Sequence, residues 1–260
     1  MLDEKFNQHL TFKQLDEYAE FYETLSTSIL GIIPFGVTLP FNIDSYLFTS
    51  IQGSILSIKE VLLKGRFSDA YALLRKYYDS VYINIYTNLF LEDNITLENL
   101  FKNKIDDWVH GKEQLPRYES MRKYIEESKK LANITNILKM DDPYKIIRDR
   151  CNDFTHYNFY RNILYNDSGI YLENRLGVLD QFGKDICNIF ILHFSYLFTL
   201  SQHYMVSSDY IDSLDMGLTP EEGSEYFVAP FIQKMFDDVI KKYRIDLANE
   251  IKKNTSMKLE

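Results

Sequence analysis

The run Ile186–Ser208 holds 23 residues without one Asp, Glu, Lys or Arg, and it is bounded by Asp185 and Asp209. A segment of this kind must leave water, either into a bilayer or into a protein core. Its polar members decide between the two. Asn188, His193, Ser195, Thr199, Ser201, Gln202 and His203 interrupt it, and its boundaries are acidic rather than the basic anchors of a membrane span. The expectation is a central helix enclosed by other helices in a soluble bundle. The chain of 260 residues is long enough for that, since a domain of this size buries roughly 70–75% of the surface its unfolded form exposes. Hydrophobic residues at 45% and charged residues at 26% exclude wholesale disorder.

The rest of the pattern is helical. Leu15, Ala19, Tyr22 and Leu25 recur at helix spacing within Leu10–Leu30. GIIPFGVTLPFN, residues 31–42, breaks the pattern and reads as an apolar loop lying on the core. Asp44 is placed to cap a helix to about Leu63, with Leu47, Ile51, Ile55, Ile58 and Leu62 on one stripe. Ser68 is placed to cap the next helix, to about Leu91, and the short connection between the two predicts an antiparallel hairpin. Shorter helices are expected over Asn94–Lys139. Asp142-Pro143 reads as an N-cap and first helical residue, leading into a helix whose core face carries Ile147, Cys151 and Phe154. RNILY-NDSG-IYLEN, residues 161–174, reads as a small β-hairpin. A long helix follows over Arg175–Ser207, then a loop near Thr219-Pro220, two helices and a mildly basic tail from Lys241 that is free to fray. The fold class is therefore all-α, a single helical domain over residues 1–260 with a small β-hairpin insertion. Its parts are an N-terminal helix and loop (1–43), a core (44–207) and C-terminal helices (208–260).

Lys and Arg number 29 against 38 Asp and Glu, a net charge of −9, which argues against coating nucleic acid or anionic membrane through the overall field. Two isolated cysteines, Cys151 and Cys187, form neither a disulfide framework nor a metal knuckle, and the acidic, amphipathic N-terminus lacks signal-peptide features. Both point to the cytoplasm. No G-x-x-x-x-G-K-[ST], G-x-G-x-x-G, G-x-S-x-G, H-E-x-x-H or C-x-x-C occurs.

The segment RDRCNDFTHYNFYRN, residues 148–162, carries the chemistry. Arg150 and His156 near one phosphate can cleave RNA without a metal: the guanidinium stabilises charge while the imidazole moves a proton to or from the 2′-hydroxyl or the leaving oxygen. Six positions on a regular helix turn through roughly 600°, so the two converge only if the helix breaks near Thr155 or a dimer brings two copies together. The structural alternative pairs Arg150 with Asp153 and leaves His156 at the helix C-terminus. Between Lys145 and Arg161 lie four basic and two acidic residues, beside Tyr157, Phe159 and Tyr160, which can stack on unpaired bases or serve as core or interface residues. Asp149, Asp153 and His156, at i, i+4 and i+7, have the types and spacing for a divalent ion but need partners from elsewhere; a solvated face is the simpler reading. No metal or cofactor is assigned. His193 and His203 are expected as hydrogen-bonded core residues.

GRFSDAYALLRKYYDSVYINIY, followed by a helix ending RCNDFTHYN, resembles the HEPN superfamily of helical bundles, whose motif is an arginine, four to six residues, then a histidine near a helix end. The resemblance covers roughly residues 44–207. Where many of its families carry a polar residue, often Asn, directly after the arginine, this chain has Cys151, with Asn152 and Asp153 following. The resemblance implies a homodimer and, for active members, a metal-independent RNA endonuclease of a toxin–antitoxin or phage-defence system, partnered by an antitoxin or defence protein. Arg150 and His156 would be its catalytic pair. Asn152, Asp153, Tyr157, Asn158 and Arg161 would support them or contact RNA, and Arg75 with Asp79 would line the cleft. Inactive members bind partners or nucleotides, so a non-catalytic scaffold that dimerises through the bundle is the alternative.

Overall fold

A computed structural model describes residues 4–32, 42–94, 96, 103–139, 143–170 and 172–260. The described elements are α1 (Glu4–Asn7), α2 (Leu10–Ile32), α3 (Ile43–Leu63), α4 (Phe67–Asn94), α5 (Lys104–Val109), α6 (Tyr118–Glu127), α7 (Ala132–Lys139), α8 (Pro143–Thr155), α9 (Tyr160–Leu164), α10 (Arg175–Leu200), α11 (Asp209–Asp215), α12 (Pro230–Met235) and α13 (Ile245–Asn254). A π-helical turn, Phe236–Lys241, continues α12. The all-α class holds, and among the described residues the only β pairings are the isolated bridges Val206–Val228 and Phe227–Lys258.

Four long helices make the core. α2 packs on α3, α3 on α4 across the tight Lys64–Arg66 connection, and α10 lies against both α4 and α2. α10 is enclosed as its composition requires: Phe182, Ile186, Ile189, Phe190, Phe194 and Phe198 are all buried. Aromatic contacts knit the layers, with Tyr18 of α2 stacked on Phe190 of α10 at 4.2 Å and Tyr71 of α4 stacked on Phe154 of α8 at 4.2 Å. No described helix is long and apolar enough to cross a membrane. The apolar run splits: α10 ends at Leu200 and a 3-10 turn, Gln202–Met205, follows, rather than one helix to Ser207.

The residues expected as a β-hairpin adopt another structure. Tyr160–Leu164 is helical, turns follow through Gly169, and a turn at 173–174 leads into α10. Three polar side chains override the strand-like alternation. Buried Asn162 donates to the Asp153 carbonyl, Asn166 accepts from the Ser68 and Asp69 amides at the start of α4, and Arg175 donates to the carbonyls of Gly65, Asp167 and Ile170. The segment thus becomes the cap of the α3–α4 hairpin. It also replaces Ser68 as the expected cap, because Ser68 lies inside the first turn and donates to the Asn162 carbonyl. The C-terminal tail does not fray over α13, where Leu247, Ala248 and Ile251 are buried. The apolar loop expected over 31–42 lies largely outside the described residues, as does Asp142.

Asp44 is not a cap either. It lies in the first turn of α3 with its carboxylate buried, accepting from Asn84 and Asn88 of α4 and from Tyr204 after α10, at 2.7–2.9 Å. Because the Asn84 amide nitrogen donates to Asp44, its oxygen must accept, and it does so from Nε2 of His193 at 2.8 Å. Nδ1 of His193 then accepts from the Tyr22 hydroxyl at 2.7 Å, and Tyr22 accepts from Tyr77 at 2.8 Å. His193 is the core histidine expected; His203 is instead exposed.

Burial pushes the Asp44 carboxyl up from 3.8 to about 6 and the His193 ring down from 6.5 to about 3. For Asp44 the folded value lies above the unfolded one, so its contribution is present in acid and is lost as pH rises toward 6. For His193 the folded value lies below, so stability is lost as pH falls through 6.5. Between these limits the two oppose each other: on acidification the folded chain takes a proton on Asp44 while the unfolded chain takes one on His193. Asp44→Asn removes the first alone. Urea unfolding at pH 7.5 and 4.5 should show the variant losing about 2 kcal/mol more than wild type on acidification. Equal losses would mean that Asp44 titrates as it does in the unfolded chain.

Candidate functional site

α8 carries most of the residues singled out by the sequence, and its two sides do different things. Ile147, Cys151 and Phe154 form its buried face as expected, packed toward α4. Beside that face, Nη1 of Arg150 grips both carboxylate oxygens of Asp185 on α10. Asp185 is buried and also accepts from Gln181 at 3.0 Å and from the Tyr71 hydroxyl at 3.4 Å. Burial raises its carboxyl above the ordinary range, and the Arg150 guanidinium offsets part of that rise. One turn of α8 lies over α4, where Nε of Arg75 donates to Asp79 at 3.0–3.1 Å and Nη1 donates to Oδ1 of Asn152 at 2.6 Å. Arg75, Asp79 and Asn152 therefore do meet, as one α4–α8 clasp.

The pairing of Arg150 with Asp153 does not form. Asp153 instead accepts from the Asn158 amide at 2.8 Å, and its backbone carbonyl accepts from Asn162. Asp185 is the site residue that sequence reasoning missed. The available signal was a carboxylate at the edge of the charge-free run Ile186–Ser208, where burial demands a counter-ion.

His156 stands elsewhere. α8 ends in a Schellman-type turn: Asn158 N–H donates to the Asp153 carbonyl at 3.0 Å and Tyr157 N–H to the Phe154 carbonyl at 3.4 Å. This requires a left-handed residue after His156, and the chain places Tyr157 there, with φ 50°. His156 is exposed with no side-chain hydrogen bond, and it makes none with Arg150. Tyr157, Phe159 and Tyr160 follow it into solvent, 42%, 61% and 74% exposed, and Arg161 lies over the Tyr165 ring at 5.3 Å. The aromatic residues are thus a rim, not core. Asp149, Asp153 and His156 do not gather: among the described residues no group of three or more His, Cys, Asp or Glu side chains is arranged to hold a metal ion. Cys151 is buried, and burial raises its thiol above the ordinary range.

Comparison with protein-family models, with curated proteins and with solved structures finds no match to this chain.

Two outcomes follow from this geometry. Arg150→Met leaves a buried carboxylate without its cation and should cost about 3–5 kcal/mol, whereas Arg150→Met combined with Asp185→Asn should cost clearly less; chemical denaturation of each variant measures both, and a double variant that costs as much as Arg150→Met would show that the buried charge is not what the arginine serves. Tyr157→Gly removes a left-handed tyrosine and should stabilise the protein by about 1 kcal/mol. A loss of stability instead would mean that the Tyr157 ring supports the fold.

Proposed function

We propose that the α8–α9 end of the molecule is a single-stranded RNA site and that the protein is a HEPN-like, metal-independent endoribonuclease. The observation that carries the reading is the free, exposed imidazole of His156 on the end of a rigid helix, with three exposed aromatic rings directly after it. Unpaired bases stack on such rings at about 1–3 kcal/mol per base, and a free imidazole is suited to proton transfer at the 2′-hydroxyl or leaving oxygen. Arg150 is bound to Asp185 through Nη1, and its Nη2 and Nε have no hydrogen-bond partner among the described residues. Those donors are the ones this reading assigns to the scissile phosphate. A homodimer, in which one copy's Arg150 serves the other's His156, belongs to the same proposal, as do a cytoplasmic setting and an antitoxin or defence partner.

A second reading has its own support. Asp185 neutralises Arg150, which weakens its call on a phosphate and suits a non-catalytic scaffold that uses the exposed rim to bind a partner.

The test is cleavage of mixed-sequence single-stranded RNA in EDTA. Wild type should cleave, His156→Ala should lose about 100-fold or more with its circular dichroism unchanged, and Arg150→Lys, which keeps a cation for Asp185, should lose activity while folded. Cleavage that is equal in wild type and His156→Ala overturns the nuclease, and RNA-inert wild type that self-associates in light scattering selects the scaffold.

A further inference from the structure

Away from α8, a cavity of about 750 Å³ opens between α1, the first turns of α2, the first half of α10 and the Tyr243-Arg244 segment. It shares no lining residue with the His156 rim. Its floor exists because α2 and α10 touch at Gly183, where a Cβ would lie 2.6 Å from Oγ1 of Thr11. His9 forms one wall and is fully occupied, with Nδ1 on Thr11 and Nε2 on Asp180, both at 3.1 Å. That contact engages the one acidic side chain among the described residues that line the cavity. Arg244 is likewise engaged, by Asp246. Two cations remain: Lys5 and Lys184 line the opening, are exposed, and enter no ion pair among the described residues. In a chain of net charge −9 this leaves a local positive excess.

The apolar part is equally uncovered. Leu10 is 79% exposed and Tyr243 54% exposed, and both also line a second cavity of about 330 Å³ on their other side. A volume of this size suits a small organic molecule and is far larger than a simple ion needs.

We propose that this cavity binds a small aromatic anion, its ring against Tyr243 and Leu10 and its charged group between Lys5 and Lys184. Desolvation of the ring against the exposed apolar pair supplies affinity, and the two unpaired ammonium groups supply charge selectivity.

The probe is 8-anilinonaphthalene-1-sulfonate, titrated into the intact chain and read by its fluorescence. One saturable site is expected per chain. The Lys5→Glu, Lys184→Glu double variant should weaken it about tenfold or more, and Tyr243→Ala should weaken it while thermal unfolding stays unchanged. The uncharged analogue N-phenyl-1-naphthylamine should bind the wild type more weakly than the sulfonate does. Affinity that is unchanged in the lysine variant, equal binding of the uncharged analogue, or no saturable site at all would each overturn the proposal.

Discussion

The packing of the four long helices turns on a buried carboxylate that has no cation. Asp44 on α3 is met by two asparagines of α4 and one tyrosine beyond α10. An acceptor-only group at that point orients the Asn84 amide, the amide sets the tautomer of His193, and His193 sets the direction of the Tyr22 and Tyr77 hydroxyls. One group thereby aligns side chains from α2, α3, α4 and α10. Apolar packing alone would permit these helices to slide against one another by small steps. A chain of directional bonds, each buried and each costly to leave unmade, permits one register.

This register matters at the other end of α4 and α10, because those two helices also hold α8. Arg75 and Asp79 project from α4, and Asp185 projects from the first half of α10, so Asn152 and Arg150 find partners only when both helices are in place. The ion pair is a poor source of net stability, since burying Asp185 costs much of what its attraction to Arg150 returns. Its effect is positional: α8 cannot rotate about its axis without breaking one clasp or the other. The orientation of His156 at its end follows.

Helices were legible in the sequence wherever apolar residues recurred at helix spacing over several turns, as in α2, α3, α4 and α10. The errors fall where a polar side chain acts at a distance. Residues 161–174 alternate like a hairpin, yet Asn162, Asn166 and Arg175 satisfy backbone groups of α4, α8 and the turn after α3. Asp44 and Ser68 sit at plausible caps by local pattern, and tertiary contacts draw both inside. Of the candidate site, the Arg75–Asp79 pair was readable as an i, i+4 contact on one helix. The Arg150–Asp185 contact spans two helices 35 positions apart, so the sequence marks the carboxylate that needs a counter-ion but not which cation meets it.

The spacing of Arg150 and His156 joins two residues whose physical circumstances are opposite. Six positions of helix carry the chain through roughly 600°, which leaves one side chain facing α10 and the other beyond the helix end. Arg150 spends its strongest donor on the fold, and His156 spends none. A residue tied into a buried ion pair cannot be removed without disturbing structure, while an exposed, unpartnered one can. Loss of function on replacing Arg150 would therefore say little about chemistry by itself, because helix orientation and phosphate contact fail together. The imidazole is the cleaner witness: its side chain holds nothing in place, so whatever its removal abolishes is something that it does to another molecule.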